Sequence, residues 1–327
     1  MKSRLIKAND WFSAGRRLPY DPRLKIIEGE TNNDTLQAFH KVTALEDPWK
    51  DQTWLSFLPG FPDGSFGWSR VDQLLPQRDT FPRLFVEYIG QGDSDKPKSY
   101  PYGIMERADL VEAFWEYYGI SETMLITFDF SSLVAMELLR RQEEKSSRKV
   151  NIQKVLMING GYFVDAHSHP WITTPMLKTK FGKMGTRMLQ KSPAFFRLMI
   201  KDLWSKEYQV KREELNEVYE AIGRRNGALF LHNGAGFVDQ HKQHAERLNL
   251  QEICKEMHEQ IDFHIVGSEK DQFEPQQVVK AMERVSQYEV EIRMVPGGHM
   301  TTSEQPELLV SIIQEISSGL YVSATKS

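Results

Sequence analysis

Asp129 stands where an apolar strand-like run, Met124-Leu125-Ile126-Thr127-Phe128, meets a helix-like one, Ser131 to Leu139. A sharp turn from strand into helix throws its central side chain outward and tolerates only small residues two positions to either side. Thr127 and Ser131 meet that demand around Asp129. Ser131 would have Asp129 and Leu133 at those positions, and Ser132 would have Phe130 and Val134, so neither serine fits. A helix N-terminus stabilises a carboxylate placed there. The same preference makes aspartate a common helix cap, and these residues alone leave that reading of Asp129 open. Two distant residues bear on the choice. Asp271 follows the apolar run Ile261 to Val266, and His299 lies in Gly297-Gly298-His299-Met300 after the run Glu289 to Val295. The chain order becomes nucleophile, acid, histidine, which suits a carboxylate nucleophile whose histidine base is oriented by a second acid. Glu269 is the fallback for that acid.

Such groups must be held on loops at the carboxyl ends of strands. Six apolar runs lead into turn-forming residues: Trp54 to Leu58, Arg83 to Tyr88, Met124 to Phe128, Lys154 to Ile158, Ile261 to Val266 and Glu289 to Val295. Helix-like patterns between them give the rhythm of an α/β fold with a mostly parallel central sheet flanked by helices. From Tyr162 the strand-like runs disappear, and apolar residues recur at helical spacing. The expected organisation is core over 1–161, a helical cap insertion over 162–255 and core again over 256–327. With 327 residues, 40% hydrophobic, core size is no constraint. The 41 Lys+Arg against 45 Asp+Glu argue against nucleic acid as a partner. The single cysteine, Cys254, fits a reducing compartment and reads as a helix or core filler. With no apolar signal segment in MKSRLIKANDWFSAGRR and no run long enough to span a bilayer, the expected location is cytoplasmic. A homo-oligomer stays open.

Several strings resemble the α/β-hydrolases of the epoxide hydrolase and haloalkane dehalogenase branch. Pro59-Gly60-Phe61-Pro62-Asp63 followed by Trp68 is similar to that family's His-Gly-Phe-Pro oxyanion loop. Gly90-Gln91-Gly92-Asp93-Ser94-Asp95-Lys96-Pro97 is similar to its Gly-x-Gly-x-Ser-x-Lys-Pro segment, and His299 with Pro306 and Glu307 matches its final histidine block. Within the branch the likeness extends to the mesoderm-specific transcript group of hydrolases. It is carried by Asn159-Gly160-Gly161-Tyr162-Phe163 with His167 and Pro170, by Val134 to Arg140, and by Ile222-Gly223-Arg224-Arg225-Asn226-Gly227.

The resemblance implies an Asp129-His299-Asp271 triad working through an alkyl-enzyme ester. The backbone N–H groups of Phe61 and Phe130 would hold the oxyanion, and no cofactor would be needed. The expected substrate is a small apolar molecule, with Trp68, Tyr162, Tyr208, Tyr219 and Met300 as candidate binding residues. The family's halide-binding Trp and Asn positions are Phe130 and Phe61 here, neither able to donate from its side chain. That favours epoxide-like over halide chemistry, with Tyr162, Tyr208 and Tyr219 as candidate acids. Pro59, Phe128 and Ser131 depart from the family's histidine, histidine and glycine. They keep a second class open, a non-catalytic ligand-binding protein on a decayed hydrolase scaffold. No metal is expected, since His241 with His244, and His167 with His169, lack a third ligand at suitable spacing. Gly90-Gln91-Gly92 lacks the third glycine of a dinucleotide fingerprint and reads as a turn.

Overall fold

The computed structural model describes residues 4–28, 34–43, 52–76, 81–145, 150–168 and 178–320. Nine strands form one sheet: β1 (Arg16–Asp21), β2 (Ile26–Ile27), β3 (Leu36–Thr43), β4 (Trp54–Leu58), β5 (Arg83–Val86), β6 (Glu122–Phe128), β7 (Asn151–Ile158), β8 (Asp262–Ser268) and β9 (Glu291–Val295). Their spatial order is β2-β1-β3-β5-β4-β6-β7-β8-β9. The six from β4 to β9 run parallel, and β1 to β3 form an antiparallel edge joined through β3 to β5.

The central parallel strands carry unbroken apolar stretches, Met124 to Ile126 in β6 and Val155 to Ile158 in β7, where both faces are covered. In β7 the side chains alternate, with Val155 and Met157 in one core and Leu156 and Ile158 in the other. The first core packs the sheet against α3 (Ile104–Tyr118) and α4 (Ser131–Glu143). The second takes Trp11 and Phe12 near the N-terminus and Leu309, Ile312 and Ile313 near the C-terminus. The antiparallel edge was not legible as strand, since Arg16, Arg17 and Pro19 break the apolar pattern. The other strands agree with the six apolar runs to within a few residues.

Between β7 and β8 the described residues hold the helices α5 (Lys180–Lys191), α6 (Pro193–Ile200), α7 (Arg212–Gly223), α8 (Leu231–Gly234), α9 (Phe237–Gln243) and α10 (Leu250–Met257), and no strand. The expected boundary at residue 255 falls inside α10. That helix packs on α4, with Ile253, Cys254 and Met257 in the core of the sheet layer. Burial pushes the Cys254 thiol up to about 12, as suits a core filler. No described helix is long and apolar enough to cross a membrane.

Candidate active site

The turn from β6 into α4 puts Asp129 at φ 55°, a left-handed conformation that costs a non-glycine residue energy and that surrounding contacts must hold. Its N–H donates to Ile158 O at 2.9 Å. Thr127 and Ser131 are fully buried on either side. The Ser131 hydroxyl donates to Pro59 O and pairs with the Tyr88 hydroxyl at 2.9 Å, while Ser132 Oγ accepts from Gly161 N at 3.0 Å. Helix α4 has no side-chain cap. Instead of turning back on the helix, Asp129 Oδ2 accepts the Phe61 N–H at 2.9 Å.

The other oxygen, Oδ1, lies 3.6 Å from His299 Nε2. On the far side of the ring, Nδ1 is 2.9 Å from Asp271 Oδ2 and 3.1 Å from Oδ1. Asp271 is itself fixed by the N–H groups of Phe273 and Glu274, at 2.8 and 3.1 Å to Oδ1. Phe128 and Phe273 pack against the imidazole, with ring centroids 5.5 and 5.2 Å away. Burial alone would depress the His299 pKa. Asp271 and Asp129 outweigh it and hold that pKa well above the ordinary value, so the imidazolium is the form present at neutral pH. The structure thus brings Asp129, His299 and Asp271 together, and leaves Glu269 exposed.

Several supporting residues lie within the strings that carry the resemblance but are given no role there. Asn159, at the end of β7, donates from Nδ2 to His299 O at 2.8 Å and to Thr301 Oγ1 at 2.7 Å, so it holds the histidine loop. Gln91, inside the glycine turn, donates to Gly60 O at 2.9 Å and steadies the oxyanion loop. Asp63, two residues beyond Phe61, is 2% exposed and its Oδ1 has no hydrogen-bond partner among the described residues. Gly60 must stay glycine: an added Cβ would lie 2.4 Å from the Phe128 ring and 3.4 Å from Asp129 Cβ. Gly60→Ala should displace the Phe61 N–H and lower turnover by about 10²-fold, read from kcat with the fold checked by circular dichroism.

The expected substrate-binding side chains are placed less uniformly. Met300 lines a cavity of about 30 Å³ with Asp63, Phe66, Trp204 and Val218. Phe61 and Arg107 line a second, of about 20 Å³. Trp68 donates to Leu58 O and packs on Phe57 and Phe128, bracing the elbow from behind. Tyr162 accepts from Gly160 N and gives its hydroxyl hydrogen to Met157 O. Tyr219 donates to Gln190 O at 2.8 Å. Tyr208 donates to Glu214 and accepts from Arg70. All three hydroxyl hydrogens are therefore used inside the protein, while Tyr208 also lines an open cleft of about 700 Å³.

The histidines pair across the expected sets. His241 Nδ1 lies 2.8 Å from His167 Nε2, and His167 Nδ1 lies 2.6 Å from Glu274 Oε1. His169 falls outside the described residues. Among the described residues no group of three or more His, Cys, Asp or Glu is placed to hold a metal ion.

Comparison with known proteins places this arrangement. The human mesoderm-specific transcript homolog protein is 28% identical over an alignment of 201 residues that covers 58% of this chain and 57% of that protein. A loop variant of haloalkane dehalogenase DbeA from Bradyrhizobium elkanii superposes with a TM-score of 0.68 at 15% identity, covering 89% of this chain and 96% of that one. The epoxide hydrolase CorEH gives 0.63 at 14% identity, over 94% and 99%. A profile of the alpha/beta hydrolase family matches residues 57–312. Matched across most of its length, the chain belongs to the alpha/beta hydrolase family.

Proposed function

We propose that this protein hydrolyses a small apolar electrophile through an alkyl-enzyme ester on Asp129, with chemistry closer to epoxide opening than to dehalogenation. One observation carries the reading: the Asp129 carboxylate sits between the Phe61 N–H at 2.9 Å and His299 Nε2 at 3.6 Å, with Asp271 behind the histidine. In an ester of Asp129, the oxygen that becomes negative when water attacks is a carboxyl oxygen of Asp129 itself. A donor already placed on that oxygen needs no rearrangement to stabilise it. An anionic Asp129 also keeps His299 protonated. Esterification removes that charge, lowers the affinity of His299 for its proton and frees the ring to act as base. Serine chemistry is disfavoured because the hydroxyls of Ser131 and Ser132 are buried and already bonded. The Phe61 and Phe130 side chains offer no hydrogen-bond donor to a departing halide.

The test is intact-protein mass spectrometry of His299→Gln incubated with epoxides, alkyl halides and lactones. A mass gain of substrate size that maps to Asp129, and that Asp129→Asn abolishes, is the expected result. Binding of the same compounds with no adduct would overturn the reading in favour of a ligand-binding protein.

A further inference from the structure

We propose that Asp63 is the acid that protonates the departing oxygen of the substrate, and hence that this site takes epoxides. The proposal rests on Asp129 being the nucleophile and adds the proton that an epoxide needs and a halide does not. An alkoxide is a poor leaving group, and the three tyrosines expected to assist it have committed their hydroxyl hydrogens to Met157, Gln190 and Glu214.

Asp63 is a buried acid whose Oδ1 has no such commitment among the described residues. It lies on the loop whose Phe61 N–H holds Asp129, and it lines the cavity roofed by Trp204 and Val218 of the helical insertion and floored by Met300, the neighbour of His299. Leu5, Arg70, Glu214 and Ser303 line both this cavity and an open cleft of about 700 Å³. The Asp63 carboxyl is almost wholly buried, and Oδ1 has no protein partner among the described residues. A buried carboxylate without a partner is costly, so the neutral acid is the stable form there. Glu87, another buried carboxylate of this region, instead accepts from the N–H and hydroxyl of Ser65.

Five charged groups surround Asp63. Asp129 on the elbow and Glu87 after β5 disfavour its ionisation, His299 favours it, and Arg70 and Glu214 face the same cavity. Burial is the largest influence, and the pKa of Asp63 rises to about 7.

The protons balance. One Asp129 oxygen forms a bond to an epoxide carbon, that carbon's bond to the ring oxygen breaks with its electron pair, and the oxygen takes the Asp63 proton. The Asp63 carboxylate then recovers a proton from the His299 imidazolium, which Asp129 no longer stabilises. Neutral His299 accepts a proton from water as that water attacks the Asp129 carboxyl carbon. The resulting imidazolium protonates the alkoxide expelled from the tetrahedral intermediate and regains its proton from the liberated Asp129 carboxylic acid. The sum is epoxide plus water to vicinal diol, with every enzyme group restored.

The experiment compares ester formation from styrene oxide and from 1-bromohexane in single turnovers of the full chain carrying His299→Gln. Adding Asp63→Asn should lower the ratio of epoxide to bromide rates by about 10²-fold. With Asp63 present, the epoxide rate should fall as pH rises through a midpoint near neutrality, while the bromide rate shows no such fall. This second readout holds even if Asp63→Asn does not fold. An unchanged ratio, or an epoxide rate that does not fall with pH, overturns the role of Asp63 while leaving Asp129 as nucleophile. If neither probe gives an adduct with Asp63 present, the nucleophile reading fails and this proposal falls with it.

Discussion

Asp271→Asn should lower turnover by about 10⁴-fold, the scale seen when the orienting acid of a serine triad is made an amide. Asp271 Oδ1 already accepts two backbone N–H groups, from Phe273 and Glu274, and an asparagine would keep its oxygen there. Its NH₂ would then occupy the Oδ2 position, 2.9 Å from His299 Nδ1. A donor there makes Nδ1 the acceptor and puts the ring proton on Nε2, the nitrogen that must take a proton from water. The histidine also loses one of the two carboxylates that hold its pKa up against burial. The first chemical step needs no base, so the ester on Asp129 should still form and should now accumulate. Steady-state kcat together with intact mass checks both halves, and unchanged turnover would remove Asp271 from the mechanism.

The second large effect is on stability. Glu304 is buried where the helical insertion meets the histidine loop. Oε1 accepts from Ser205 N at 2.8 Å and Gly298 N at 3.1 Å, and Oε2 accepts from the Ser205 hydroxyl at 2.5 Å. Glu304→Ala leaves three donors without that acceptor, and at about 1 kcal/mol or more for each unsatisfied buried group the loss should be about 3–5 kcal/mol. Glu304→Gln is the control. Its oxygen can keep both N–H groups while its NH₂ donates to the Ser205 hydroxyl, so the cost should be about 1 kcal/mol. Urea unfolding midpoints, with slopes compared, distinguish the two variants. Because Gly298 precedes His299, the alanine variant should lose activity as well.

The six parallel strands were legible because strands covered on both faces carry unbroken apolar stretches, as Met124 to Ile126 does in β6 and Val155 to Ile158 in β7. Asp129, Asp271 and His299 were legible for a related reason, since each lies on the loop that follows such a run. The antiparallel edge was not, because Arg17 pairs with Asp95 and Pro19 sits within β1, features that read locally as surface. The tyrosines show where residue type runs out. Tyr162, Tyr208 and Tyr219 are chemically able to act as acids, and only the folded chain shows that Met157, Glu214 and Gln190 have taken their hydrogens. Asp63 is the converse case. Beside Gly64 it looks like an ordinary turn aspartate, and its burial depends on Trp204 and Met300, residues more than a hundred positions away.

The placement of the insertion has a consequence for biosynthesis. Strand β7 pairs with β6 on one side and β8 on the other, and the helical segment is synthesised between β7 and β8. At ordinary elongation rates those roughly 100 residues take about 5–20 s to make. During that interval the apolar edge of β7 is open on the nascent chain, a template for wrong pairing and a natural point for chaperone engagement. The proposed chemistry cannot begin in that interval either, because His299 follows β9. If Asp129 and His299 act as proposed, a nascent chain that has not yet gained His299 is inert however completely its first seven strands have folded.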